Sequence, residues 1–126
     1  MGQPAIPDRV RRLILEALDS VAELEALLLL RETAPRAWLP EAASARLYVS
    51  PAVAAYSLAT LAKRGLLHET EMGFIFQPAS ASLAEDVEAL ATAYSRSLIA
   101  VTQLIHTKPG PSVQEFARAF RWRKEP

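Results

Sequence analysis

The sequence predicts a mainly α-helical protein with one small β-hairpin, folded as a single domain over residues 1–126. Three observations predict this class. Apolar residues recur at helical spacing along most of the chain. Three Ser-x-x-Glu capping boxes stand where predicted helices begin. A turn sequence, Glu71-Met72-Gly73, separates two short apolar runs that are typical of paired strands. A chain of this length with 51% hydrophobic residues is sufficient for one buried core.

Residues 7–37 predict two N-terminal helices. From Pro7 to Leu18 the apolar residues fall on one helical face and the arginines fall outside it, so the first helix is amphipathic. The capping box 20-SVAE-23 opens a second helix that continues through Leu30. Because this second helix is apolar on nearly all sides, we expect it to lie in the centre of the core.

Residues 38–78 predict a short helix, a second helix and a hairpin. The third helix of the chain covers Pro40 to Val49. Ser50 is suited to cap the fourth helix, which begins at Pro51 and ends at about Arg64. Gly65 follows it, where a helix end favours a residue that tolerates positive φ. The two strands are predicted at 66–70 and 74–77.

Residues 80–126 predict one long helix and one short helix. The box 82-SLAE-85 opens a helical pattern that continues to about Thr107, a length of about 39 Å at 1.5 Å per residue. The sequence 109-PGP-111 ends this helix, and the box 112-SVQE-115 opens the last one.

The segment from Trp38 to Pro78, about 40 of 126 residues, resembles the winged helix-turn-helix of bacterial transcriptional regulators of the MarR type. The residues that carry the resemblance are Trp38, Pro40-Glu41, Leu47, Val49-Ser50-Pro51, Leu58, Leu61 and Lys63-Arg64-Gly65-Leu66-Leu67. The helix after this segment looks like the pairing helix of such regulators or of small uncharacterised bacterial winged-helix proteins. The resemblance implies a hairpin wing, a long C-terminal pairing helix and a homodimer that binds duplex DNA.

A winged-helix protein of this kind places its fourth helix in the major groove. The candidate DNA-binding residues are Ser50, Ala52, Val53, Tyr56, Thr60, Lys63 and Arg64. The candidate basic flanks are Arg9, Arg11, Arg12, Arg121, Arg123 and Lys124.

This predicted reading face is poor in the side chains that read bases. Arg, Lys, Asn and Gln make the paired hydrogen bonds that discriminate base edges, and none of them lies at the centre of this face. Residues 50–78 carry two basic and two acidic side chains, and both acidic ones lie in the predicted hairpin. Two hypotheses therefore stand: a DNA-binding transcriptional regulator, or a winged-helix module for protein interaction or assembly that does not bind DNA.

The predicted long helix carries an apolar stripe with a seven-residue repeat, which is typical of paired helices. Its members are Leu83, Val87, Leu90, Tyr94, Leu98, Val101, Leu104 and Ile105. We expect a second copy of the chain to bury this stripe around a two-fold axis. The alternative is a monomer in which Phe116 and Phe120 of the last helix cover it.

Composition excludes several classes. The chain has no cysteine, so disulfides and thiolate chemistry are excluded. The apolar run from Ala26 to Leu30 is far shorter than the ~20 residues of a membrane span, so we expect a cytoplasmic protein without a membrane partner. His68 and His106 stand apart from carboxylates at ligand spacing. We therefore expect neither an enzyme nor a cofactor or metal.

Overall fold

The computed structural model describes residues 6–108, which form six helices and one two-stranded antiparallel sheet. The elements in chain order are α1 (Asp8–Ala17), α2 (Val21–Glu32), α3 (Pro40–Leu47), α4 (Pro51–Lys63), β1 (Leu67–Thr70), β2 (Gly73–Phe76), α5 (Ala81–Arg96) and α6 (Leu98–Thr107). The mainly helical class and the hairpin are confirmed. The predicted last helix from residue 112 lies outside the described residues.

Helices α1 and α2 form as their sequence patterns predict. One face of α1 is buried, and α2 is buried on most sides at the centre of the core. The Ser20 hydroxyl caps α2 by accepting a hydrogen bond from the Glu23 amide at 3.1 Å. The Glu23 carboxylate accepts from the Asp19 amide at 3.0 Å, so the capping box closes one residue earlier than expected.

Helices α3 and α4 are joined by the three residues from Tyr48 to Ser50. Tyr48 adopts the left-handed conformation with φ 59°, which lets the chain turn sharply. The Ser50 hydroxyl then accepts a hydrogen bond from the Val53 amide at 3.1 Å and caps α4 as predicted. Gly65 follows α4 with φ +83°, which is the conformation expected of a glycine at a helix end.

The hairpin is extended by a short third segment. Trp38 pairs with Phe74 on β2 through two backbone hydrogen bonds of 2.9 and 2.8 Å. Gly73 lies at this crossing with φ +124°, and a Cβ there would lie 2.5 Å from the carbonyl carbon of Trp38. The indole nitrogen of Trp38 donates to the Thr33 hydroxyl at 2.8 Å. These contacts fix the hairpin to the end of α2.

The predicted long helix is wrong, because the chain breaks it at Ser97 into α5 and α6. Its cap is also wrong, since the Ser80 hydroxyl, rather than that of Ser82, accepts from the Leu83 amide at 3.0 Å. No proline or glycine marks the break. Both α5 and α6 pack on α1, and α1 is only about 15 Å long at 1.5 Å per residue. Ser97 leaves the helical conformation, with φ −141° and ψ 56°, and interrupts the helix between these two segments.

Lys108, at the end of α6, forms hydrogen bonds and an ion pair with residues at the end of α1. Its Nζ donates hydrogen bonds of 2.9 Å to the carbonyl oxygens of Ile14, Leu15 and Leu18. The same ammonium group lies 3.0 Å from the Asp19 carboxylate, and its side chain is only 5% exposed. The lysine thus gives partners to the carbonyl groups of Leu15 and Leu18, and a second donor to that of Ile14, which already accepts from the Leu18 amide.

Candidate interaction surface on helix α4

Helix α4 has one buried face and one exposed face. Ala54, Leu58 and Leu61 are buried, and α4 packs against α2 and α3. The exposed face holds Ser50, Ala52, Val53, Tyr56 and Lys63, which are five of the seven candidate DNA-binding residues. Thr60 is half-buried. The arrangement of this face therefore matches the one expected from helical spacing, and Lys63 is its one charged side chain.

Arg64, the seventh candidate, is occupied inside the chain. Its guanidinium lies 2.6 Å from an Asp19 oxygen and 3.1 Å from a Glu23 oxygen. It also donates to the carbonyl oxygen of Ala17. The two acidic side chains are 11% and 3% exposed, so these are largely buried ion pairs. Because its guanidinium is paired with two largely buried carboxylates, Arg64 adds no unpaired charge to the α4 face.

Asp19 joins the two cations of this network. It accepts from Arg64 with one oxygen and lies 3.0 Å from Lys108 with the other. Burial alone would raise the pKa of the Asp19 carboxyl, but the hydrogen bonds from Arg64 and Lys108 outweigh it and lower the pKa overall. Asp19 therefore stays ionised in the folded protein and holds together the ends of α1, α4 and α6.

The residues of the predicted basic flanks differ in whether they form ion pairs. Arg9 is paired with Asp86 at 2.9 Å and with Glu85 at 3.5 Å, and these contacts raise the pKa of its guanidinium. Arg11 and Arg12 are exposed and make no ion pair within the described residues. The remaining flank residues, Arg121, Arg123 and Lys124, lie outside the described range.

The hairpin beside α4 is acidic at its surface. Glu69 and Glu71 are exposed, and Met72 between the strands is 76% exposed. Two exposed carboxylates on the hairpin would repel a phosphate backbone, because DNA affinity depends on neutralising phosphates with cations.

An apolar groove opens at the N-terminal half of the α4 face. Val53 is 42% and Tyr56 is 62% exposed, and both line a cavity of about 420 Å³ between the starts of α2 and α4. Ala52 and Ser57 complete the α4 side of this groove, and Asp19, Ser20 and Glu23 form its other side. The carboxylates on that side are the ones neutralised by Arg64 and Lys108.

Tyr48 is an exposed aromatic side chain that the sequence reasoning did not select. It lies in the turn before α4 and is 94% exposed. No sequence pattern singles it out, because its left-handed backbone conformation, which is uncommon for a non-glycine residue, is visible only in the structure. Tyr48 lines a separate groove of about 400 Å³ with side chains of α2 and with Tyr94. Val53 and Tyr56 form what we call the α4 patch.

Part of the predicted dimer stripe is buried within a single chain. Four of its eight side chains are fully or almost fully buried, namely Val87, Leu90, Val101 and Ile105. Leu83, Tyr94 and Leu104 are half-buried. Leu98 is 53% exposed, and its neighbour Ile99, which was not selected, is 59% exposed. The apolar surface left for a second copy therefore centres on the start of α6.

Two further findings concern residues 6–108 alone. Their histidines and acidic side chains form no group of three or more that could hold a metal ion. None of their helices has the length and apolar character needed to cross a bilayer.

Comparison of the chain with protein-family models, with curated proteins and with solved structures gives no match. Fold and surface define a general class: a mainly helical protein with a short antiparallel hairpin and a helix face that is exposed and nearly uncharged.

Proposed function

We propose that this chain is a winged-helix protein that docks onto another protein through the α4 patch and does not read DNA. Support for the winged-helix assignment comes from the order of its elements. Helices α3 and α4 are joined by three residues, and the hairpin β1–β2 follows α4 directly. The Trp38 segment adds a third strand position beside β2. This order is typical of winged helix-turn-helix domains.

The observation that carries the proposal is the internal pairing of Arg64. A DNA-reading helix needs cations that are free to contact phosphates and long polar side chains that reach base edges. With Arg64 bound to Asp19 and Glu23, the exposed face of α4 offers Lys63 as its one cation.

The α4 patch has the composition of a protein-docking surface. Tyrosine is enriched at interface hot spots, because its ring contributes a large apolar area and its hydroxyl can still bond. Tyr56 is 62% exposed and Val53 beside it is 42% exposed. The neighbouring groove of about 420 Å³ is suited to a large apolar side chain of the partner.

One experiment separates protein docking from DNA reading. A photo-crosslinking amino acid is placed at position 56 in the full-length chain, in cells, and at Gln103 on the exposed side of α6 as the matched control. We expect an adduct from position 56 that protease removes and nuclease leaves intact, and that is weakened when Val53 is changed to Glu. The control position should give no such adduct.

An adduct at position 56 that nuclease removes would overturn the proposal in favour of DNA. Equal protein adducts from both positions would also overturn it, because the α4 patch would then have no special role.

The second candidate is a homodimeric DNA-binding regulator, and the exposed α4 face favours it. Helix α4 has 13 residues, about 20 Å at 1.5 Å per residue, which suits a major groove. Its cations would be Lys63, Arg11 and Arg12, together with the basic segment 121–124. Retention of the full-length protein on random duplex DNA, measured at rising salt, tests this candidate. Salt-sensitive retention at micromolar protein would support it, and its absence would exclude it.

A further inference from the structure

The groove beside α4 holds apolar side chains that the described residues leave uncovered. Val53 and Tyr56 line it and are largely exposed, and Ala52 next to them is exposed as well. The opposite wall includes Asp19 and Glu23, whose carboxylates are paired with cations. Because this wall carries no unpaired charge, the groove favours an apolar occupant over a charged one.

The last described residue lies beside this groove. The ammonium group of Lys108 lies 3.0 Å from the carboxylate of Asp19, and Asp19 lines the groove. A lysine side chain has a four-carbon stem, so the backbone of Lys108 lies within one side-chain length of this contact. The next three residues, 109-PGP-111, span at most about 10 Å when fully extended. Residue 112 can therefore reach the edge of the groove.

Residues 112–120 have a sequence pattern that fits such a groove. They read SVQEFARAF, and they lie outside the described range. Val113, Phe116 and Phe120 recur at helical spacing, so the helix predicted here has one apolar side. At 1.5 Å per residue this apolar side is about 10 Å long, and residues 52–57 of α4 span about 8 Å. The predicted apolar side and the groove therefore match in length.

A second uncovered apolar surface, at the start of α6, is less suited to this segment. Residues 109–126 carry four basic and two acidic side chains. Arg96 at the start of α6 is exposed and forms no ion pair within the described part of the chain, so it would repel a basic segment. On the side of α4, the exposed carboxylates of Glu69 and Glu71 outnumber the exposed ammonium group of Lys63. Charge therefore favours the groove beside α4.

We propose that residues 112–120 of the same chain occupy the groove beside α4 and cover Val53 and Tyr56. A tether of three residues gives an effective concentration on the order of millimolar, so weak contacts are sufficient to fill the groove in the free protein. The segment then competes with a partner protein for the α4 patch, and a partner must displace it. This competition rests on the proposed function, whereas the occupation of the groove does not.

The test places one nitroxide spin label on the full-length chain, which has no cysteine of its own. Ala119→Cys carries the label, because position 119 lies away from the predicted apolar side. In amide NMR spectra, the label should broaden the signals of residues 52–57 at least threefold more than those of residues 98–103 on α6. Labelled chains mixed with unlabelled, isotope-enriched chains should cause no broadening in the latter, because the contact lies within one chain.

Two variants localise the contact. Phe116→Ser combined with Phe120→Ser should abolish the broadening of residues 52–57. Trp122→Ser is the matched control, because it removes an aromatic ring away from the predicted apolar side, and it should leave the broadening unchanged. Three results would each overturn the proposal: broadening that does not favour residues 52–57 over 98–103, broadening between separate chains, which would make a second copy the occupant, or unchanged broadening in the double variant.

The competition has its own measurement. With the photo-crosslinking amino acid at position 56, the double variant should give at least threefold more adduct with a partner protein than the parent chain does. An unchanged yield, in a chain whose NMR spectra show the segment in the groove, would overturn the competition and count against the proposed function. Absent broadening would overturn the occupation of the groove alone.

Discussion

Replacing Arg64 by methionine tests the internal pairing on which the proposed function depends. The change keeps most of the side-chain volume and removes the guanidinium. Glu23, which is 3% exposed, keeps its hydrogen bond from the Asp19 amide, and Asp19 keeps Lys108. Removing one partner of a buried ion pair costs about 3–5 kcal/mol, and the remaining partners and the 28% exposure of Arg64 reduce this. We expect a loss of about 2–4 kcal/mol in the free energy of unfolding.

Urea denaturation followed by far-UV circular dichroism at neutral pH measures this loss. The expected fall in the midpoint is about 1–2 M for a domain of this size. Arg46→Met is the control, because Arg46 is exposed and makes no ion pair within residues 6–108; its effect should stay within about 0.5 kcal/mol. A second variant that combines Arg64→Met with Glu23→Leu should recover part of the loss, because no uncompensated charge is then buried.

A refuting result is an Arg64→Met protein as stable as the Arg46→Met control. The guanidinium would then be unbound in solution, its charge would be free to contact phosphate, and the case against DNA reading would lose its main support.

Three further predictions follow from the same structure. Because the pKa of Asp19 is lowered in the folded state, its contribution to stability is complete above its ordinary pKa of about 3.9 and is lost as the pH falls through the lowered value. Urea midpoints of the parent chain should thus fall more steeply below pH 4 than those of Asp19→Asn, and parallel curves would contradict the pairing. Gly73→Ala should cost at least about 2 kcal/mol, since the new Cβ would overlap the Trp38 backbone in a conformation that disfavours side chains; a neutral effect in thermal unfolding would contradict this geometry. If the predicted homodimer forms through the start of α6, light scattering should give twice the chain mass, and the double variant Leu98→Lys with Ile99→Lys should give a monomer. A parent chain that stays monomeric at every concentration would exclude the predicted homodimer.

Local sequence signals predicted the helical elements up to residue 64 and the hairpin, because those signals act over a few residues. Ser20 and Ser50 cap their helices through bonds to amides three residues ahead, and Gly65 adopts the positive φ that its position favours. Such hydrogen bonds depend on the local order of residue types, which is visible in the sequence.

The break at Ser97 had no such local cause. The apolar repeat continues through it, so periodicity alone predicts one helix. Both α5 and α6 pack on the ten-residue α1, and such tertiary contacts are not visible in a local pattern. The buried stripe residues, such as Val87 and Val101, then belong to the core of the single chain, and the surface for a second copy becomes smaller than the repeat indicates.

The role of Arg64 shows why function was harder to predict than fold. Its partners lie 41 to 47 positions away in the sequence, so no local pattern distinguishes a paired arginine from a free one. In the sequence, Lys63 and Arg64 form one basic pair at the end of the fourth predicted helix. In the structure, Lys63 is exposed, whereas Arg64 is tied to the core. The number of basic residues in 50–78 therefore overstates the cations available to a ligand. Arg64 is already neutralised by Asp19 and Glu23, which lie outside that segment.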